Sequence, residues 1–177
     1  KYKVAGKEFY PKSEFFNYDK VDFAIGLATN FNDKLKAIDE VLATDPNNFK
    51  ANQNLGMLIY DTLNPRDEST ARPENAKELE QKMLAAFTKT TSIKPDDEIA
   101  YLYMGDHFIN SAVRATEAKK KTPDAKAKAE LEKQYGEAME GAKDPYTKAA
   151  EIYAARTNLQ PRDKQQYKKA ASCILRT

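Results

Sequence analysis

Apolar positions recur every three to four residues along most of the chain, and polar clusters containing Pro, Asn or Asp interrupt them. That period predicts amphipathic helices. Val21, Ala24, Ile25 and Ala28 share one helical face, followed by Leu35, Ile38, Val41 and Leu42 on another. Asn32 or Asp33 is the expected N-cap between the two. The cluster from Asp45 to Asn48 stops this run, and a helix over 49–63 follows with Ala51, Leu55, Leu58 and Ile59 on its face. Asn64 and Pro65 end it, because proline disfavours the helical conformation of the residue before it. A polar loop covers 64–74, with Pro73 suited to a first helical turn. A helix then carries Leu79, Met83, Ala86, Phe87 and Thr90 to Ile93. After Pro95 to Asp97, Ala100, Tyr101, Met104, Phe108 and Ala112 mark a helix extending to about Lys120. Thr122 to Asp124 restart the chain into an Ala/Lys/Glu-rich helix ending near Gly141 or Ala142. Asp144 and Pro145 then read as a cap and first-turn pair for a separate helix with Ala149, Ile152, Tyr153 and Leu159. The last helix carries Tyr167, Ala170, Ala171, Ile174 and Leu175. No useful period-2 strand pattern occurs. Residues 1–18 contain Gly6, Pro11 and many aromatics without a clean period, and read as an irregular arm with one helical turn at Ser13–Tyr18.

The punctuation repeats. Pro46, Pro95 and Pro161 each close a similar run, and each is followed by small residues about ten positions on. Leu55-Gly56 and Met104-Gly105 stand nine and ten residues after Pro46 and Pro95, and Ala170-Ala171 come closest after Pro161. A glycine costs a helix interior about 1 kcal/mol relative to alanine, so its recurrence asks for a close helix contact.

These residues resemble tetratricopeptide repeats (TPR), helix–turn–helix units of about 34 residues. The first-helix matches are Asn52-x2-Leu55-Gly56-x2-Ile59 and Tyr101-x2-Met104-Gly105-x2-Phe108, with a degenerate Tyr167-x2-Ala170-Ala171-x2-Ile174. Second-helix matches are Met83-x3-Phe87 and Ala149-x3-Tyr153. Pro46 and Pro95 are 49 residues apart, and Pro95 and Pro161 are 66 apart. The extra lengths fall within hairpins, at 62–77 and 110–143, which suggests outward lengthening with the contact register kept. Long insertions of this kind are similar to those of Bacteroidetes-type TPR proteins. The resemblance implies an all-α, right-handed superhelix of antiparallel hairpins, about seven or eight helices over 19–177, with 163–176 as a cap.

It also implies a concave groove lined by Lys50, Gln53, Met57, Tyr60 and Asp61, then Ile99, Leu102, Asp106, Ile109 and Asn110. Chaperone-binding members hold a peptide C-terminal carboxylate with Lys and Asn side chains. Here Gln53, Met57, Leu102 and Asp106 occupy the corresponding places, so a mixed apolar and polar peptide or a protein surface is expected instead. Met57, Ile99, Leu102 and Ile109 also suit a second reading, as core covered by the arm or the inserted helices.

Composition narrows the chemistry. Gly (6) and Pro (8) together make about 8% of 177 residues, against a turn-rich β fold. The single Cys173 excludes an internal disulfide framework, and the single His107 excludes any two-histidine site. His107 beside Asp106 is no dyad, since neighbours on a helix diverge by about 100°. A structural or solvated His107 and a small buried Cys173 are expected. No nucleophile elbow, phosphate loop, dinucleotide fingerprint or zinc-protease motif is present. No cofactor is expected, and the reading is non-catalytic.

The net charge of +2 divides unevenly, at −4 for residues 1–118 and +6 for 119–177. A basic third could meet an acidic partner, but the spacing fits solvated helix faces. Ten Tyr and eight Phe beside 29 Lys/Arg could stack on nucleic acid. Their places on apolar faces assign them to core instead. No apolar run approaches a membrane span. The chain opens on Lys1 rather than Met, which leaves open a removed export signal or lipid anchor. A structural or accessory lipoprotein or secreted protein of a cell-envelope assembly, periplasmic or outer-membrane-attached, is therefore one alternative to a cytoplasmic binding scaffold, and an enzyme whose site is not legible in the sequence is the other.

Overall fold

The computed structural model describes residues 20–65, 67 and 70–175, without the side chains of residues 20, 23 and 24. The arm read at 1–18 lies outside the described residues. Those described form seven helices and no strand: α1 (Lys20–Leu27), α2 (Phe31–Thr44), α3 (Phe49–Leu63), α4 (Ala76–Ile93), α5 (Glu98–Lys121), α6 (Ala125–Ala154) and α7 (Pro161–Ile174). Each helix packs on the next in sequence, and α3 also touches α5.

Local chemistry sets most helix starts. Asn48, Asp97 and Asp124 each accept the backbone amide three residues on, at 2.9, 3.2 and 2.6 Å. Such caps satisfy donors that the first turn leaves unpaired. The cap of α2 is Asn30, two or three residues before the expected Asn32 or Asp33. Its side chain accepts from the Asp33 amide at 2.9 Å and donates to the Asp33 carboxylate at 2.8 Å. Pro73 is not in the first turn of α4. Its carbonyl accepts from the Ala76 amide at 3.1 Å, closing a turn just before the helix. Pro161 is the first residue of α7, two residues before the expected start, and the Gln160 amide donates to Asp163 at 3.3 Å.

The expected break at Asp144-Pro145 is absent, and α6 runs unbroken for 30 residues through Pro145. Proline has no amide hydrogen, so the Gly141 carbonyl loses its usual partner, and a helix-interior proline costs about 3 kcal/mol. The tertiary face outweighs this. Ala138, Ala142, Tyr146, Ala149 and Tyr153 are all buried at three- and four-residue spacing on both sides of the proline. Burying one large side chain contributes about 1.5–3 kcal/mol, so Tyr146 and Tyr153 together offset the proline's cost.

Two apolar clusters share α5. Ile38, Leu55, Ile59, Met83 and Phe87 join Ala100 and Met104 of α5 in one. Leu102 of α5 joins Ala142, Tyr146, Tyr153 and Ala170 in the other. The paired glycines lie where α3 meets α4 and where α5 meets α6. A Cβ at Gly56 would stand 2.5 Å from the Phe87 ring, and one at Gly105 would stand 2.8 Å from the Tyr146 ring. Gly141 of α6 meets Phe108 of α5 in the same way, so α5 and α6 run antiparallel.

The contact register is not kept between these pairs. Phe87 stands 8 residues before Pro95, whereas Tyr146 stands 15 before Pro161. The second pair therefore meets two helical turns further from its closing proline. Pro46 and Pro95 each stand three residues before a helix, whereas Pro161 is itself helical. Only two of the three proline marks are equivalent.

Candidate partner-binding cleft

Helices α3 and α5 lie side by side and parallel. Gln53 meets Asp97, Tyr60 meets Tyr103 and Asn110 meets Asn64, at sequence offsets of 44, 43 and 46. Helix α7 closes the third side, where the Lys169 ammonium reaches the Asp106 carboxylate at 2.6 Å. Between α3, α5, α7 and the end of α6 lies a cleft of about 440 Å³.

Five of the groove residues inferred from sequence come together here: Met57, Tyr60, Ile99, Leu102 and Asp106. Leu102 is buried in the floor, whereas Ile99 keeps 39% of its surface exposed. The core reading thus fits Leu102, and the open reading fits Ile99. The other predicted residues are placed elsewhere. Lys50 pairs with Asp22 at 2.5 Å and ties α1 to α3. Gln53 donates to both oxygens of Asp97 at 3.0 Å and so holds the cap of α5 against α3. Asn110 donates to the Tyr60 hydroxyl and to Asn64 Oδ1, both at 3.0 Å. Asp61 is exposed and does not line the cleft. Ile109 lines a different cavity, beside Cys173.

Sequence reasoning missed the rest of the wall, which besides Glu98 and Asp163 includes Tyr103, Tyr153, Arg162, Gln166 and Lys169. The last three belong to α7, which was expected only as a cap. Its place is set by packing of Tyr167, Ala170, Cys173 and Ile174 into the second cluster, with the Asp106–Lys169 pair 63 residues apart beside it, and neither partner is legible locally.

Carboxylates and burial shape the cleft's titration. The Tyr60 phenol is pushed up to about 12, first by burial and then by Asp106. Tyr153 is also pushed up to about 12, by burial and then by Glu98 and Asp163. Burial followed by Asp61 raises Tyr103, with Arg162 opposing. These three tyrosines stay neutral hydroxyls at ordinary pH, able to donate and to present an aromatic face. Asp106 also accepts the Tyr146 hydroxyl at 2.5 Å. Glu98 pairs with Arg156 at 2.6 Å, and the Arg156 guanidinium lies 5.2 Å from the centre of the Tyr153 ring.

His107 points elsewhere and is 4% exposed. Among the described residues, its Nδ1 has no hydrogen-bond partner. Burial holds its pKa below the usual 6.5, with Glu80 opposing and Arg114 and Arg72 reinforcing. Cys173 is half-buried rather than enclosed. Among the described residues, no three His, Cys, Asp or Glu side chains converge as a metal-binding group, and no helix is long and apolar enough to cross a membrane. Comparisons with protein-family models, with curated proteins and with solved structures each find no match.

Proposed function

We propose that the chain is a non-catalytic binding scaffold of TPR-like, right-handed superhelical design, and that the α3–α5–α7 cleft takes a short segment of a protein partner. The observation that supports this most is the convergence of Met57, Tyr60, Ile99, Leu102 and Asp106 on one cavity. The cleft combines an apolar floor with tyrosine hydroxyls and fixed charges, the mixture that binds a peptide side chain and orients its backbone. Its walls are helices already packed and cross-linked, so little ordering entropy opposes binding.

The test is selection of a random peptide library on the full chain, with Ile99→Arg as counter-screen. Ile99 is open enough that the substitution leaves the core intact. Peptides that lose about tenfold or more in affinity on Ile99→Arg support the cleft, since central apolar anchors carry most interface energy. Selected peptides that bind the variant equally well would sink the proposal.

A further inference from the structure

The cleft wall already seats one cation of the chain itself. The Arg156 guanidinium lies 5.2 Å from the centre of the Tyr153 ring and 2.6 Å from the Glu98 carboxylate. A ring face and a carboxylate together suit a guanidinium, which is planar, weakly hydrated and always charged. Eight residues further along α5, Asp106 also lines the cleft, one turn from Tyr103, whose ring meets that of Tyr60 at 4.8 Å. The pairing of tyrosine with carboxylate therefore occurs twice in one cleft.

The second pairing is the more open of the two. Its cation is Lys169 of α7, which reaches Asp106 at 2.6 Å on a flexible stem and keeps 44% of its side chain exposed. An ammonium offers one point of charge, where a guanidinium offers a fork of donors matched to a carboxylate. Ile99, Leu102 and Asp106 follow one another along α5 at three- and four-residue spacing, so an apolar strip ends at the carboxylate. The field at the rings has the matching sign. A carboxylate is the strongest charge felt by each tyrosine: Asp106 at Tyr60, Asp61 at Tyr103 and Glu98 at Tyr153.

We propose that the α3–α5–α7 cleft selects a basic side chain of its protein partner, arginine ahead of lysine. The aliphatic stem lies along Met57, Ile99 and Leu102, and the guanidinium takes the place of Lys169 at Asp106, beside Tyr60 and Tyr103. Long cationic side chains bury an apolar stem and keep the charged head at a polar edge, which is the order of surfaces met here. Lys169 is exposed enough to return to water, and an exposed ion pair contributes little to the fold. This selectivity rests on the cleft being a peptide site and adds the residue that the peptide must carry.

In the experiment, peptides are selected from a random library on the full chain and sorted by their loss of binding to Ile99→Arg. Those that depend on Ile99 should carry Arg or Lys at one fixed position. Replacing it by citrulline, which keeps the shape and removes the charge, should cost about tenfold or more in affinity, as should Asp106→Asn in the chain. Thermal unfolding checks that Asp106→Asn is folded, and the citrulline peptide tests the charge on the native chain. Three results overturn the basic selectivity and leave the cleft a peptide site: Ile99-dependent peptides without a basic residue, with a fixed acidic one, or indifferent to citrulline. No enriched peptide, or peptides that bind Ile99→Arg equally well, would overturn the site itself. Zero-length carbodiimide cross-linking of the free chain separates a partner from the chain's own lysines. A link within one molecule from Asp106 to Lys1, Lys3, Lys7 or Lys12 would assign the cleft to the chain's own first residues and overturn the assignment to a partner.

Discussion

Replacing Gly56 by alanine tests how the first helix pair is keyed. The added Cβ would stand 2.5 Å from Phe87 Cε1 and 2.7 Å from Cδ1 and Cζ. Carbon atoms in contact prefer about 3.5–4.0 Å, so the ring must retreat by about 1 Å. Phe87 has no exposed surface to retreat into. It stacks on Tyr103 at 5.6 Å, and Tyr103 meets Tyr60 edge-on at 4.8 Å. Overpacking of this kind costs about 1–3 kcal/mol, while the alanine returns about 1 kcal/mol of helix propensity. Gly136 isolates the second effect, because it is exposed on α6 and a Cβ there meets nothing within 4 Å among the described residues. Gly136→Ala should stabilise by up to about 1 kcal/mol, and Gly56→Ala should fall about 1–3 kcal/mol below it. Followed by circular dichroism, at roughly 2–4 °C per kcal/mol for a chain of this size, the two midpoints should differ by about 2–12 °C. If Gly56→Ala raised Tm as much as Gly136→Ala, the close packing of α3 on α4 would not be what the glycine is for.

Three other measurements follow from the same geometry. His107 is held below 6.5 by burial, so between 6.5 and its folded value the unfolded chain binds more protons, and stability falls with acid at no more than about 1.4 kcal/mol per pH unit. Denaturant unfolding of His107→Gln should therefore decline less steeply from pH 7 to pH 5 than that of the native chain, and parallel declines refute the assignment. Tyr60 and Tyr153 ionise at about 12 in the fold against 10.0 unperturbed, so the folded chain holds more protons across that window and loses stability as pH rises through it. Ultraviolet titration of the Tyr60→Phe, Tyr153→Phe double variant should lose tyrosinate absorbance near pH 12, and loss near pH 10 instead would refute the shift. Pro145→Ala restores a donor to the Gly141 carbonyl within α6 and should stabilise by up to about 3 kcal/mol, read as a higher denaturant midpoint. A lower midpoint would show that the proline fits α6 better than an ordinary residue does.

What the chain showed in advance was what it encodes locally. The bounds of α3 follow from Asn48 and Asn64 with Pro65, which act within one turn of themselves. The start of α6 at Ala125 is legible for the same reason, through Asp124. Pro145 reads as a break by the same local logic, and there the logic fails. A penalty of a few kcal/mol at one residue is visible in sequence, while the gain from five buried side chains depends on α5 and α7 being present. The register of the second pair was illegible on similar grounds. Gly105 states only that something large approaches it. Tyr146 and Tyr153 both qualify, and the choice rests on how α6 lies along α5.

The cleft divides along the same line. Met57, Tyr60, Ile99, Leu102 and Asp106 could be named because the resemblance to TPR units implies groove-facing places on both helices, and α3 and α5 lie parallel, which brings matching places to one face. Lys169 and Arg162 could not, because α7 repeats nothing that fixes its partner. What links the two halves is the aromatic stack behind the cleft. Gly56 seats Phe87, Phe87 supports Tyr103, and Tyr103 with Tyr60 forms the wall that a ligand would touch. The position that looked like a packing mark and the positions that looked like a groove thus belong to one mechanical unit. A substitution at Gly56 should therefore disturb peptide binding even where it leaves the fold intact, and Gly136→Ala, touching no part of that stack, should leave binding unchanged.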